Sequence, residues 1–109
     1  MASYKRHVFS VAGGAIAETF GPVLSTTVLK ELRLHISAAP TTAGSFTVRL
    51  DSVDGAAFDV LVYSIDPSVA STTDVFNNDL ELLLTPGDAL DVAYANADGR
   101  TIGVQMLFE

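Results

Sequence analysis

Hydrophobic and polar residues alternate through most of the chain, and the clearest alternation lies in residues 80–109. Leu80, Leu82 and Leu84 occupy every second position, and the run stops at Thr85-Pro86-Gly87-Asp88. Proline presets φ for the first corner of a β-turn and glycine accepts positive φ at the second, so the chain reverses there. Leu90, Val92 and Tyr94 then alternate with Asp91, Ala93 and Ala95. After a second reversal at Asn96-Ala97-Asp98-Gly99, Ile102, Val104, Met106 and Phe108 alternate with Thr101, Gly103, Gln105 and Leu107. Period-two patterning on both sides of short turns predicts antiparallel strands with one face buried.

The same period runs upstream. In residues 27–37, Val28, Leu32, Leu34 and Ile36 fall on one face and Leu29, Glu31, Arg33, His35 and Ser37 on the other, with Lys30 as the exception. Phe46, Val48 and Leu50 alternate with Thr47, Arg49 and Asp51 after a loop at 38–45. An Asp54-Gly55 turn follows, and then a stretch at 58–65 that is apolar on both faces: Leu61, Tyr63 and Ile65 opposite Phe58, Val60 and Val62. Such a strand is expected to be central or covered on its outer face. Asp66-Pro67 closes it, because proline cannot join a central ladder. Residues 68–79 read as the longest loop, with a possible short strand around Val75-Phe76. Residues 15–20, between Gly13-Gly14 and Gly21-Pro22, leave about one and a half turns for a helix, which is marginal without tertiary support.

Seven or eight strands with regular turn signals and no convincing helix indicate an all-β domain, a two-sheet antiparallel β-sandwich. Jelly-roll topology is preferred over an immunoglobulin-like Greek key, whose paired cysteines and core tryptophan are both missing. Residues 15–109 form the single sandwich domain. Residues 1–14 are either its first strand or an N-terminal arm. In the arm reading, Tyr4, Lys5, Arg6, His7, Phe9 and Val11 contact a partner, with Phe9 and Val11 as an apolar edge and Gly13-Gly14 as a permissive hinge.

Composition adds two constraints. Nearly half the residues are hydrophobic (49%) and only 17% are charged, against ~25% charged in an average domain. A monomer of 109 residues has little room to hide that much apolar surface, so strand faces or edges are expected to meet other protein, most simply in a homo-oligomer. The net charge of −7 is divided unevenly. Residues 1–49 carry Lys5, Arg6, Lys30, Arg33 and Arg49 against Glu18 and Glu31, a balance of +3, whereas residues 50–109 carry Arg100 against eleven acids, a balance of −10. The acidic majority argues against a nucleic-acid partner and favours electrostatic contact with protein. No stretch approaches the roughly 20 apolar residues of a membrane span, and the N-terminus lacks the apolar core of a signal peptide.

Candidate chemistry is sparse. With no cysteine, disulfides, thiolate metal sites and thiol nucleophiles are excluded. Asp51, Asp54 and Asp59 surround an Asp-Gly turn, but their spacing does not match a calcium loop; Asp88 and Asp91 suit turn-capping better than ion binding. His7 and His35 form no spaced ligand pair, and no nucleophile elbow, phosphate-cradling loop or dinucleotide fingerprint is present. Neither an enzyme nor a cofactor is expected.

Four segments together carry a resemblance: Phe46-Thr47-Val48-Arg49-Leu50-Asp51, Asp59-Val60-Leu61-Val62-Tyr63-Ser64, Leu83-Leu84-Thr85-Pro86-Gly87-Asp88-Ala89-Leu90 and the closing 96–108 hairpin. The pattern, over roughly residues 28–108, resembles small β-sandwich, jelly-roll-like capsid decoration or cementing proteins of tailed bacteriophages. The resemblance implies a virion structural protein made in the host cytoplasm and carried on the capsid surface, commonly as a homotrimer. There it would stabilise the phage head by bridging shell subunits, with the major capsid protein or another virion protein as partner and no catalytic residue. Similar turns also occur in carbohydrate-binding jelly rolls. The alternative is therefore a carbohydrate- or receptor-binding module, head-fibre or tail-associated, with specificity in loops 38–45 and 66–79.

Overall fold

The structure, a computed structural model, describes residues 4–109; the first three positions of the proposed arm lie outside the described residues. Among the described residues nine strands follow one another: β1 (Lys5–Ala12), β2 (Ile16–Phe20), β3 (Thr27–Ile36), β4 (Phe46–Asp51), β5 (Val60–Ile65), β6 (Asp74–Asn77), β7 (Leu82–Leu84), β8 (Ala89–Tyr94) and β9 (Thr101–Phe108). One sheet has the order β1-β9-β3-β6, with β7 also on β3; the other has the order β2-β8-β4-β5. Antiparallel partners are nested: β1 with β9, β2 with β8, β3 with β6 and β7, β4 with β5. The chain is thus one long hairpin, turning back between β4 and β5 and rolled into two packed sheets, which is a jelly roll.

Alternation explains which face each strand buries. Ile102, Val104, Met106 and Phe108 of β9, Leu90, Val92 and Tyr94 of β8, and Phe46 and Val48 of β4 are all buried and share one core. Their neighbours Thr101, Ala93 and Arg49 remain exposed. Burying each large apolar side chain stabilises the sandwich by about 1.5–3 kcal/mol. The expected turns form. Gly87 takes φ 99° and Asp88 N donates to Thr85 O at 2.9 Å, while Gly99 N donates to Asn96 O at 2.9 Å.

Several expectations need correction. In β3, Leu29 is fully buried and Val28 only partly, the reverse of the simple alternation. The register against β9 shifts between Leu29 and Glu31, and one extra residue flips every position before it to the other face. The displaced Lys30 reaches sideways to pair with Glu81.

The doubly apolar stretch at 58–65 is neither central nor covered: β5 is an outermost strand, and Phe58 belongs to a 3₁₀ turn at Ala56–Phe58. One helical turn, α1 (Pro67–Ala70), also exists, with Pro67 in its first turn and the Asp66 carboxylate accepting from Ser68 N at 3.0 Å. Proline ends the strand and at the same time starts this turn, because its φ suits a helix N-terminus. Residues 15–20 supply β2 instead of a helix, and the leucine-rich strand shortens to β7.

Candidate functional site

Residues 5–12 pair with β9 along their whole length, from Lys5 opposite Phe108 to Ala12 opposite Thr101. The N-terminal segment is therefore the first strand of the sandwich and not a separate arm. Gly13-Gly14 is a pinned reversal, not a hinge: Gly13 N donates to Arg100 O at 3.1 Å, and the buried Asn96 donates through Nδ2 to Gly14 O at 2.8 Å. Within β1 the inward positions are His7, Phe9 and Val11, and Phe9 and Val11 pack against the core. Both are half-buried, and Phe9 also borders a shallow surface depression. Arg6 and Val8 point outward, and Tyr4 and Lys5, where the strand begins, are exposed as well.

The start of β1 also borders a groove of about 390 Å³. Its floor is aromatic: Phe20 stacks on Phe108 at 4.3 Å, and the His7 ring lies tilted on Phe20 at 5.0 Å. Lys5 and Arg6 form one rim and Leu24, 95% exposed, the other. His7 Nε2 is buried with no hydrogen-bond partner among the described residues, which costs about 1–3 kcal/mol wherever it stays unsatisfied. This groove joins residues 5–7, 20–27 and 108, which no local motif links.

A second surface lies on the other side of the sandwich. Val53, Phe58, Val60 and Leu61 are all exposed, Phe58 by 61%, with exposed Asp51 and Asp54 beside them. The projection is rigidly built. Asp59 accepts from Ser52 N at 2.8 Å, Asp88 accepts from Val53 N at 2.8 Å, and Phe58 N donates to Gly55 O at 3.0 Å. Strand edges normally carry charge, stay short or turn a charge inward. β1 carries Lys5 and Arg6, β2 turns Glu18 to its inner side, and β6 and β7 have four and three residues. β5 has six residues and no charge, and its one protection is a register shift that leaves Val62 as an extra residue.

Two of the aspartates considered for ion binding, Asp59 and Asp88, hold turn backbone instead. Asp88 also accepts from Thr85 N and Oγ1, and the backbone N–H groups of Val53 and Thr85 hold its carboxyl below the usual range. Asp98 binds the backbone and hydroxyls of Thr42 and Thr41, which lower its pKa to about 2. Asp91 accepts from Thr19 Oγ1 at 2.9 Å. His35 lies on the outer sheet face, with Nδ1 2.6 Å from Asp74 Oδ1. That pairing lowers the Asp74 pKa, and Arg33 sits 5.5 Å over the Phe76 ring beside it. Ser10 and His35 flank a shallow depression over Gly103, on strands separated by β9, and no hydrogen bond joins them.

Loops 38–45 and 66–79 meet through Gly44 N and Asp66 Oδ2 at 3.2 Å. Tyr94 is buried and Tyr63 half-buried, so neither offers a flat stacking platform near those loops. Compared with known proteins, the chain matches no family model and no curated protein, and the functional reading rests on these surfaces.

Proposed function

We propose that this chain is a non-enzymatic structural subunit of a virion, a capsid decoration or cementing protein that bridges neighbouring shell subunits and works as a homo-oligomer, with a trimer expected. The observation that carries the reading is the exposed apolar cluster of Val53, Phe58, Val60 and Leu61 beside Asp51 and Asp54, together with a groove edged by Lys5, Arg6 and the exposed Leu24. Exposed apolar patches of this kind mark protein contact sites. The fold lends support by analogy alone, since jelly rolls serve viral capsids and lectins alike. A glycan-binding role is less favoured, because sugar sites stack their ligands on exposed Trp or Tyr, and the chain has no Trp.

The test is to mix purified protein with undecorated phage particles and image them. Stoichiometric occupancy of lattice positions is the expected result. Empty lattices, together with glycan-array binding lost on mutating loops 38–45 and 66–79, would refute it.

A further inference from the structure

We infer that copies of this chain join head to tail, the acid-rimmed projection around Phe58 of one copy seating in the basic groove beside β1 of the next. The inference rests on the assembly reading for its motive, and on nothing about which shell the protein occupies. The two surfaces carry opposite charge, and one exposes an aromatic ring where the other is hollow. One presents an exposed phenyl ring flanked by Val53 and Val60 with Asp51 and Asp54 at its border; the other is a hollow floored by Phe20, Phe108 and His7 with Lys5 and Arg6 on its rim. A phenyl ring entering this hollow gains tilted or offset aromatic contacts, and the charges at the margin steer the approach.

Charge also selects the mode of contact. Pairing two projections would set Asp51 and Asp54 against their own copies, and pairing two grooves would do the same to Lys5 and Arg6. A two-fold contact through either surface is therefore disfavoured. The head-to-tail contact places opposite charges together.

The strand registers place the surfaces at one level. Phe20 pairs with Leu90, Leu90 with Leu50 and Leu50 with Val60, so the groove floor and the projection are the two ends of one cross-strand row. They stand about 14 Å apart across the sheet, three inter-strand spacings of ~4.8 Å. A backbone link runs between them: Gly87 N donates to Val23 O, Val23 N to Asp88 O, and Val53 N to the Asp88 carboxylate. Because both surfaces lie at the same height on opposite sides, successive copies need no shift along the strand direction. A head-to-tail contact whose rotation closes makes a ring; one that keeps translating makes a filament. A ring is the expected form, in keeping with the closed homo-oligomer of the proposed function.

The absence of cysteine makes thiol mapping clean. Ser25→Cys sits at the groove and Ala57→Cys at the projection, both on exposed positions. With a short bis-maleimide in free solution, the mixture of the two single variants is expected to give cross-linked pairs at least tenfold faster than either variant alone, and the double variant a ladder ending at one closed size. Phe58→Ala, or Lys5→Glu with Arg6→Glu, should abolish the reaction, and Asp51→Lys with Asp54→Lys should restore it to the charge-reversed groove. Self-linking of Ala57→Cys at the mixed rate would overturn the inference. So would a mixed rate no higher than that of Ser25→Cys with the remote Ala97→Cys, or an unending ladder. No particle is involved, so rings without decoration would refute the decoration role and leave the ring, and decoration by a monomer would refute the ring and the homo-oligomer but leave the shell-bridging role.

Discussion

β1 and β5 are both outermost strands, and they are finished in opposite ways. β1 runs straight for eight residues, starts with exposed Lys5 and Arg6, and buries alternate side chains against its own core. β5 has no charge, is kinked by an extra residue at Val62, and is preceded by the exposed Val53 and Phe58. An unpaired edge invites any other strand. On β1 charge discourages that pairing, and on β5 the kink does. On the β5 side Val53, Phe58, Val60 and Leu61 remain exposed. Under the proposed head-to-tail contact, copies meet through this apolar cluster and not by adding strand to strand.

The comparison can be broken most severely by removing the core beneath both edges. Phe46 is fully buried and packs near Tyr94; Phe46→Ala is expected to lose about 3–5 kcal/mol, read as a large fall in the chemical-denaturation midpoint. Asn96→Ala separates the two sides. Its side chain bonds Gly14 O, Arg100 O and Arg100 N, and leaving these buried groups unpaired should cost about 1–3 kcal/mol. Amide exchange should rise in β1 and β2 and stay unchanged in β5.

Asp98 lies away from both edges and provides a pH control. Its folded pKa of about 2 is below the ordinary 3.8, so its contribution is present above about pH 4 and lost as pH falls toward 2. Asp98→Asn should lower stability at neutral pH and flatten the denaturation midpoint between pH 4 and 2. Lys5→Glu with Arg6→Glu has the smallest expected effect on folding, within about 0.5 kcal/mol, because both side chains are exposed. Its cost should appear in association, and raising salt should weaken the wild type in the same direction.

Much of the sandwich was legible because β4, β8 and β9 keep strict alternation between one buried and one open face. What was not legible depended on information that period two does not carry. A one-residue bulge at Lys30 leaves no compositional mark beyond a lysine out of place, yet it exchanges Val28 for Leu29 in the core. Alternation showed that Phe9 and Val11 share a side but not which side, and only pairing with β9 turns them inward. A doubly apolar strand reads as central or covered whether another element covers it or not, and β5 is neither. The groove is assembled from the two ends of the chain, with Lys5 opposite Phe108, and no local motif announces it.

The most direct test of the central claim, that the projection around Phe58 is an interface between copies, is sedimentation velocity of the wild type and Phe58→Asp at micromolar concentration. The account predicts a discrete small oligomer for the wild type and a monomer for the variant, with superimposable circular dichroism and unchanged thermal unfolding of the monomeric fold. Identical monomeric sedimentation of both proteins would contradict it.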